Sequence, residues 1–200
     1  MDTVRAAIAA YIREQALPID KYSHQPRLYA LAVRVGAGQK YDDQILYAAA
    51  WLHDLGVFIG HRPEEIEALS RWDNVAYAME RAPALLAEWD FPQEKIAAVQ
   101  AAIRDHLPAR APETIEGIIL RDADILEQLG AVGILRNVSK VGRDTRYPTF
   151  AEVLALLRRN LHTLPDQLRL PSARALAAPR IQLLRDFLDA ADDEGAGAPL

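Results

Sequence analysis

The chain has 200 residues, half of them hydrophobic, with 28 acidic and 23 basic side chains and a net charge of -5. That length and composition suit one domain with a hydrophobic core, or one domain with an appended helical lobe, and exclude a disordered chain. The acidic balance speaks against a nucleic-acid partner, and without cysteine any metal must be held by histidine and carboxylate.

Helical periodicity dominates and no period-2 strand stands out, so the expected class is all-α. The first helix is expected over 2–15. It is amphipathic, carries both charge signs and lacks the basic start and apolar centre of a signal peptide. No apolar run approaches the ~18 residues of a membrane span, so a cytoplasmic protein without a membrane partner is expected. After Pro18 a second helix covers 21–36 and stops at Gly36 and Gly38. A third, 42–55, has Asp42 as N-cap and Gly56 as its stop. GVFIGHRPEE is a loop, with Pro63 suited to a helix start. The stretch 64–89 is helical and should be broken or kinked by Pro83.

Another helix begins at 92, PARAP connects, and a helical stretch starts at 112 with Gly130 and Gly133 as interruptions. Helices over 149–162 and 172–191 follow. The expected division is a main domain over 1–144, a helical extension over 145–192 packed on it, and a disordered tail over 193–200.

Five histidines occur: His24, His53, His61, His106 and His162. His53 is followed at once by Asp54, at the end of the apolar run AAAWLHDLG. Two polar groups at the end of a buried helix need partners, and one divalent cation would serve both. Taken alone, the dipeptide is better explained as a helix-terminal histidine favoured by the macrodipole, beside a solvated aspartate.

The surroundings change that weighting. His24 lies in DKYSHQPRLYALA, His53-Asp54 on the next helix, and Asp124 in ILRDADILEQLGAVGILR. This pattern resembles the HD superfamily of metal-dependent phosphohydrolases. The first segment is similar to the H-x-x-R-V opening of one bacterial subgroup, with Leu28 for Val. The last is similar to its D-A-D-[RK]-L-[DE]-x-[IL]-G-A-x-G segment, and PETIEGIIL also looks like that subgroup. The resemblance covers about residues 20–136. It implies an HD-domain helical bundle with a C-terminal helical extension, and a divalent metal on His24, His53, Asp54 and Asp124. It also implies hydrolysis of a phosphoester or phosphoanhydride in a nucleotide or other small phosphorylated metabolite, since some members cleave nucleoside triphosphates.

The residue types fit that chemistry. Such hydrolysis needs a nucleophilic hydroxide near pH 7, which a metal-activated water provides. Two imidazoles and two carboxylates suit Mn²⁺, Fe²⁺, Co²⁺, Ni²⁺ or Zn²⁺, with Mn²⁺ favoured. Asp122 rivals Asp124: the two are about 200° apart on a helix, so both should not face one cation. Asp122 lies on the apolar stripe Ile115, Ile119, Leu126, Leu129, whereas the family register selects Asp124, which is preferred.

Asp54 and His106 are the catalytic candidates. His106, in AAIRDHLPAR, is read as a general acid or phosphate contact, with Asp105 available to orient it; a surface histidine at a helix end is the alternative. Arg27, one turn after His24, is a candidate phosphate contact or a surface ion pair. His61, with Arg62 and Glu65, is a candidate substrate contact in what is otherwise a solvated loop. His162 is expected to be structural or exposed, and Trp51 and Trp72 to be core or pocket wall, with core favoured. Arg136, Lys140, Arg143 and Arg146 form a solvated face or greet a polyphosphate.

Some features depart from the family. Ile125 stands where a basic residue is usual, which removes one candidate phosphate contact. LGVFIG lacks the acidic pair of guanosine-tetraphosphate hydrolases, and the Gly-Tyr-Pro signature of cyclic-di-GMP phosphodiesterases is absent. Two other functions compete. An HD-type di-iron oxygenase would need further histidines between His53 and Asp124, where only His61 and His106 stand. A regulatory module without turnover would not need the intact ligand set.

Overall fold

The computed structural model describes residues 2–142 and 147–195. Ten α-helices lie within these residues. They are α1 (Asp2–Gln15), α2 (His24–Val35), α3 (Asp43–Leu52), α4 (Ile66–Ser70), α5 (Asn74–Glu88), α6 (Gln93–Asp105), α7 (Ile115–Glu127), α8 (Gly130–Val138), α9 (Phe150–Thr163) and α10 (Pro171–Gly195). Among the described residues the only β pairing is an isolated bridge between Ile59 and Arg62, so the class is all-α as expected. No helix among them is long and apolar enough to cross a membrane.

The chain divides into two compact units, Met1–Arg121 and Asp122–Leu200, with the division inside α7. The expected boundary at 144/145 falls in residues 143–146, outside those described.

In the first unit α3 is the central helix. Every residue from Ile45 to Leu52 is buried, as for a helix that is apolar all round. Helices α1, α2 and α6 pack on it, and α5 packs on α6. Each large side chain sealed in this way, such as Leu46 or Leu52, contributes about 1.5–3 kcal/mol. The expected N-cap is present: Asp42 Oδ1 accepts from Gln44 N at 2.9 Å and Ile45 N at 3.4 Å. The helix ends at Leu52 with His53 as C-cap, three residues earlier than expected, and a 3-10 turn over Leu55–Val57 follows.

Two elements start or break away from their expected places. The chain before α2 makes a separate 3-10 turn over Ile19–Ser23. The stretch 64–89 breaks at 71–73 rather than at Pro83, because Asp73 caps a new helix through Val75 N and Ala76 N. Pro83 sits inside α5. It has no N–H to give to Met79 O, four residues back, and Gln100 Nε2 from α6 donates to that carbonyl at 3.0 Å. A neighbouring helix thus supplies the hydrogen bond that the proline removes.

In the second unit α8, α9 and α10 pack together around Val153, Leu157, Leu184 and Leu188. Of the two expected interruptions, one falls at Gly130, whose φ of 70° suits glycine and which starts α8, whereas Gly133 lies within that helix. A Cβ there would lie 3.0 Å from Arg180 Cβ, and Arg180 Nη1 donates to Leu126 O at 2.6 Å. A capping box between Thr149 and Glu152 begins α9. Helix α10 reaches Gly195, so the first three residues of the expected tail are helical; 196–200 lie outside the described residues.

Candidate metal centre

The buried run of α3 delivers His53 at its end, and the ring is 1% exposed. His53 Nδ1 lies 3.0 Å from Ala50 O. A carbonyl only accepts, so Nδ1 carries the proton and, in the neutral ring, Nε2 presents a lone pair. His24, buried at the start of α2, brings its Nε2 to 3.3 Å from that atom. Asp54 Oδ2 lies 3.6 Å from both nitrogens.

His106 joins them from the end of α6. It is 2% exposed, not a surface residue, and its Nδ1 donates to Ile103 O at 2.6 Å. The carbonyl three residues back therefore fixes the same tautomer in His106 as in His53. The two rings stand 4.9 Å apart at 74°. His53, Asp54 and His106 each offer a ligand atom within 4.8 Å of the others.

The donors fit a first-row divalent cation. Two imidazole nitrogens each about 2.1 Å from one ion stand about 3.0–3.4 Å apart at angles of roughly 90–109°, and the His24–His53 spacing is 3.3 Å. The His53 nitrogen that faces His24 belongs to a ring tied elsewhere by its Nδ1, which is the usual outer support of a metal-bound histidine.

The turn after Asp54 is held rigidly. A Cβ on Gly56 would meet Asn74 O at 2.5 Å, and Trp72 Nε1 donates to Gly56 O at 2.7 Å. His61 belongs to this support. Its Nδ1 donates to Leu55 O at 2.9 Å, its Nε2 lies 3.0 Å from Gln15 Oε1, and its ring lies against Phe58 and Tyr77. Both nitrogens are engaged within the loop and with α1, and His61 is not brought into the histidine group. Arg62 is half-buried and Glu65 exposed.

Arg27 is half-buried, and its Nη1 donates to Ser23 O at 3.1 Å. Asp105 takes a two-pronged contact from Arg104, at 2.9 and 2.6 Å. That contact with Arg104 holds the Asp105 carboxyl below its ordinary range.

The two α7 aspartates have separate surroundings. Asp122 is 0% exposed, and its carboxylate accepts from Arg169 N at 3.0 and 3.1 Å and from Leu170 N at 2.8 Å, holding the segment that leads into α10. Asp124 is half-buried and accepts from Gln128 Nε2 at 3.2 Å. His162 is exposed at the end of α9. Trp51 is core, stacked on Tyr47, with its Nε1 buried and without a partner; Trp72 is half-buried. Of the basic run, Arg136 pairs with buried Glu127 at 3.5 Å and Lys140 lies over the Tyr147 ring. Arg143 and Arg146 are outside the described residues.

Sequence reading missed Arg121, a buried guanidinium that donates to Pro108 O at 2.7 Å. A charged residue inside the apolar run IEGIIL-R was the available signal. The carbonyl anchors Ala50 O and Ile103 O carry no side-chain signature and were not legible.

A family model described as HD domain matches residues 22–129, more than half of the chain. No curated protein matches. Solved structures do. An HD-superfamily hydrolase from Bacillus thuringiensis has 22% identity and a TM-score of 0.71, covering 98% of each chain. Bacillus subtilis YpgQ in complex with ADP has 23% identity and a TM-score of 0.72, covering 96% of this chain and 98% of that one. A predicted HD superfamily hydrolase from an uncultured Thermotogales bacterium has 26% identity and a TM-score of 0.63, covering 97% and 92%.

Proposed function

The chain belongs to the HD-domain family, and from that premise we propose that it is a metal-dependent phosphohydrolase acting on a nucleotide or another small phosphorylated metabolite. The observation that carries this reading is the convergence of His24, His53, Asp54 and His106, with the nearest donor atoms 3.3 and 3.6 Å apart.

His24, His53 and Asp54 would hold the cation, with Asp124 as fourth ligand. The family register supports Asp124, and so does the engagement of Asp122 with Arg169 N and Leu170 N. Mn²⁺ is the favoured ion among those that histidine and carboxylate accept. When bound, the cation supplies Lewis acidity at the phosphoryl oxygen and makes a neighbouring water more acidic.

The chain's own groups do the rest. Ala50 O fixes His53 for coordination through Nε2. His106, held through Nδ1, presents Nε2 toward the centre and, when protonated there, donates a proton to the leaving oxygen. Arg27 stands on α2 one turn after His24, where a guanidinium can take a phosphate oxygen. His61 serves the substrate side by holding the loop after Asp54, through Leu55 O, rather than by direct contact. The ADP bound to YpgQ supports nucleotides as the first substrates to try. The oxygenase alternative gains His106 but not His61, whose nitrogens are engaged with Leu55 O and Gln15.

The test is metal analysis followed by phosphate-release assays over nucleotides and sugar phosphates with added Mn²⁺. Hydrolysis that stops on chelation and returns with Mn²⁺ or Co²⁺ is expected. Hydrolysis that continues after elemental analysis has shown the metal to be gone would overturn the mechanism.

A further inference from the structure

We propose that Arg121 is a positioning residue that fixes the backbone after His106 and so holds the His106 ring at the metal centre. This rests on the reading above, in which His106 acts on the substrate.

The argument starts at the end of α6. A helix leaves its last carbonyls without onward backbone partners. Ile103 O is one of these, and the His106 Nδ1–H fills it at 2.6 Å. His106 itself stays in the right-handed helical region, φ -71° and ψ -20°, and its ring folds back over the last turn. Pro108 lacks the N–H that would serve Arg104 O four residues earlier, so it ends the helical bonding without bearing on the His106 ring bond. It does not fix the direction in which the chain leaves. The connector is short and irregular, with one turn closed by Arg110 N donating to Leu107 O at 2.9 Å, and Leu107 is 37% exposed on its outer side.

Arg121 supplies the missing restraint. Its side chain is 6% exposed on α7. Two of its donors reach a single acceptor, Pro108 O: Nη2 at 2.7 Å and Nε at 3.3 Å. Burying a guanidinium is costly unless it is hydrogen-bonded, so its use on a backbone carbonyl two residues past His106 is an informative placement. The planar fork defines both the distance and the angle of that carbonyl, which the single ammonium of a lysine cannot do. The chain of restraint is therefore α7, Arg121, Pro108 O, His106 backbone, His106 ring.

The test uses the full chain with Arg121→Gln, Arg121→Lys and, as a control that keeps the carbonyl, Pro108→Ala. Two readouts are taken. The first is kcat and KM on the substrate found above, with metal content measured. The second is the long-range ¹H–¹⁵N spectrum of the histidine rings in metal-free protein at a pH of about 8, where an ordinary imidazole is neutral.

Wild type should show His106 locked with the proton on Nδ1. Arg121→Gln should shift that signal toward a tautomer mixture and lower kcat by about 10- to 100-fold, with KM within about twofold and metal content unchanged. Arg121→Lys should be intermediate, and Pro108→Ala should keep the locked signal. An unchanged His106 signal and unchanged kcat in Arg121→Gln would overturn the proposal. Should that variant not fold, the same result in Arg121→Lys overturns it. A fall in activity that merely tracks the folded fraction, with the ring signal intact, also overturns it. If wild type turns over no phosphorylated substrate, the hydrolase reading has failed, and the ring spectrum alone decides whether Arg121 positions His106.

Discussion

Helix α3 carries charged groups at both ends, and the two ends are built in opposite ways. At its start, Asp42 Oδ2 meets Lys95 Nζ at 2.5 Å while Oδ1 caps the helix, and Asp43 meets Arg5 Nη2 at 2.5 Å and Tyr29 OH at 2.9 Å. Each carboxylate there is answered by a fixed cation or a fixed donor. At its end, Asp54 faces His24 and His53, whose own nitrogens face each other. Imidazole is a fixed cation only when protonated. The first end is complete with the chain alone and serves stability. The second is assembled from groups that could hold a metal ion, and in the proposed function a cation completes it. Ionisable residues at a helix end are thus uninformative by type, and the partner set decides between the two roles.

The largest effect that tests this contrast is at the second end. Asp54→Ala should abolish phosphate release and lower metal occupancy, while circular dichroism shows unchanged helix content. The fold rests on apolar faces such as Ile45, Leu46, Ala49 and Leu52. Loss of helix in this variant would mean that Asp54 belongs with the stabilising carboxylates.

His106→Ala should lower kcat by about 10²–10⁴ and leave metal content near normal. An emptied site would instead make His106 a ligand, a possibility that its place beside His53 and Asp54 makes worth measuring.

The aspartates of α7 give a smaller and cleaner separation. Asp122→Ala should lower unfolding free energy by about 1–3 kcal/mol, because Arg169 N and Leu170 N lose a buried acceptor. Metal content should not change. Asp124→Ala should do the reverse. Exchange of these two phenotypes would mean that the wrong aspartate has been assigned to the metal.

At the first end the expected effect is about 1 kcal/mol, the usual worth of an N-cap. Burial works against the charged form of Asp42, but Lys95 and the amides of Gln44 and Ile45 outweigh it and hold the carboxyl below its ordinary range. A carboxyl with a lowered folded pKa stabilises above its unfolded value, about 3.9, and that gain is lost as pH falls through the folded value. Asp42→Ala should therefore be less stable at pH 7, with the gap to wild type closing below about pH 4. A gap that stays constant down to full acid denaturation would remove the electrostatic account. The smallest effect is expected from His162→Ala, which lies exposed on α9 and should be near neutral in both melting and turnover.

The sequence made α3 legible because its apolar run, its Asp42 cap and His53-Asp54 at its end are local signals. His106 was legible as a candidate, although its burial depends on packing of α6 that no local pattern encodes. The break at 71–73 was misplaced onto Pro83. The proline was the visible breaker, but Gln100 supplies Met79 O with a donor and Asp73 caps the next helix. His61 was placed by its proximity to the metal pair, whereas the positions of Gln15 and Leu55 O decide where its nitrogens go. The role of Arg121 was hidden for the same reason, although its charge in an apolar run was not: its partner is a backbone carbonyl thirteen residues away in the chain.

The location of His53 and His106 at the carboxyl ends of α3 and α6 has a further consequence. Each helix end brings roughly half a negative charge. Helix α2 meets His24 with its opposite end, so two negative poles stand against one positive pole. With Asp54 added, the local field repels an approaching phosphate and attracts a cation. On the proposed function, the divalent ion should associate first and the anionic substrate second. A phosphorylated ligand at low concentration should bind the metal-free protein poorly, and its apparent affinity should rise with ion occupancy.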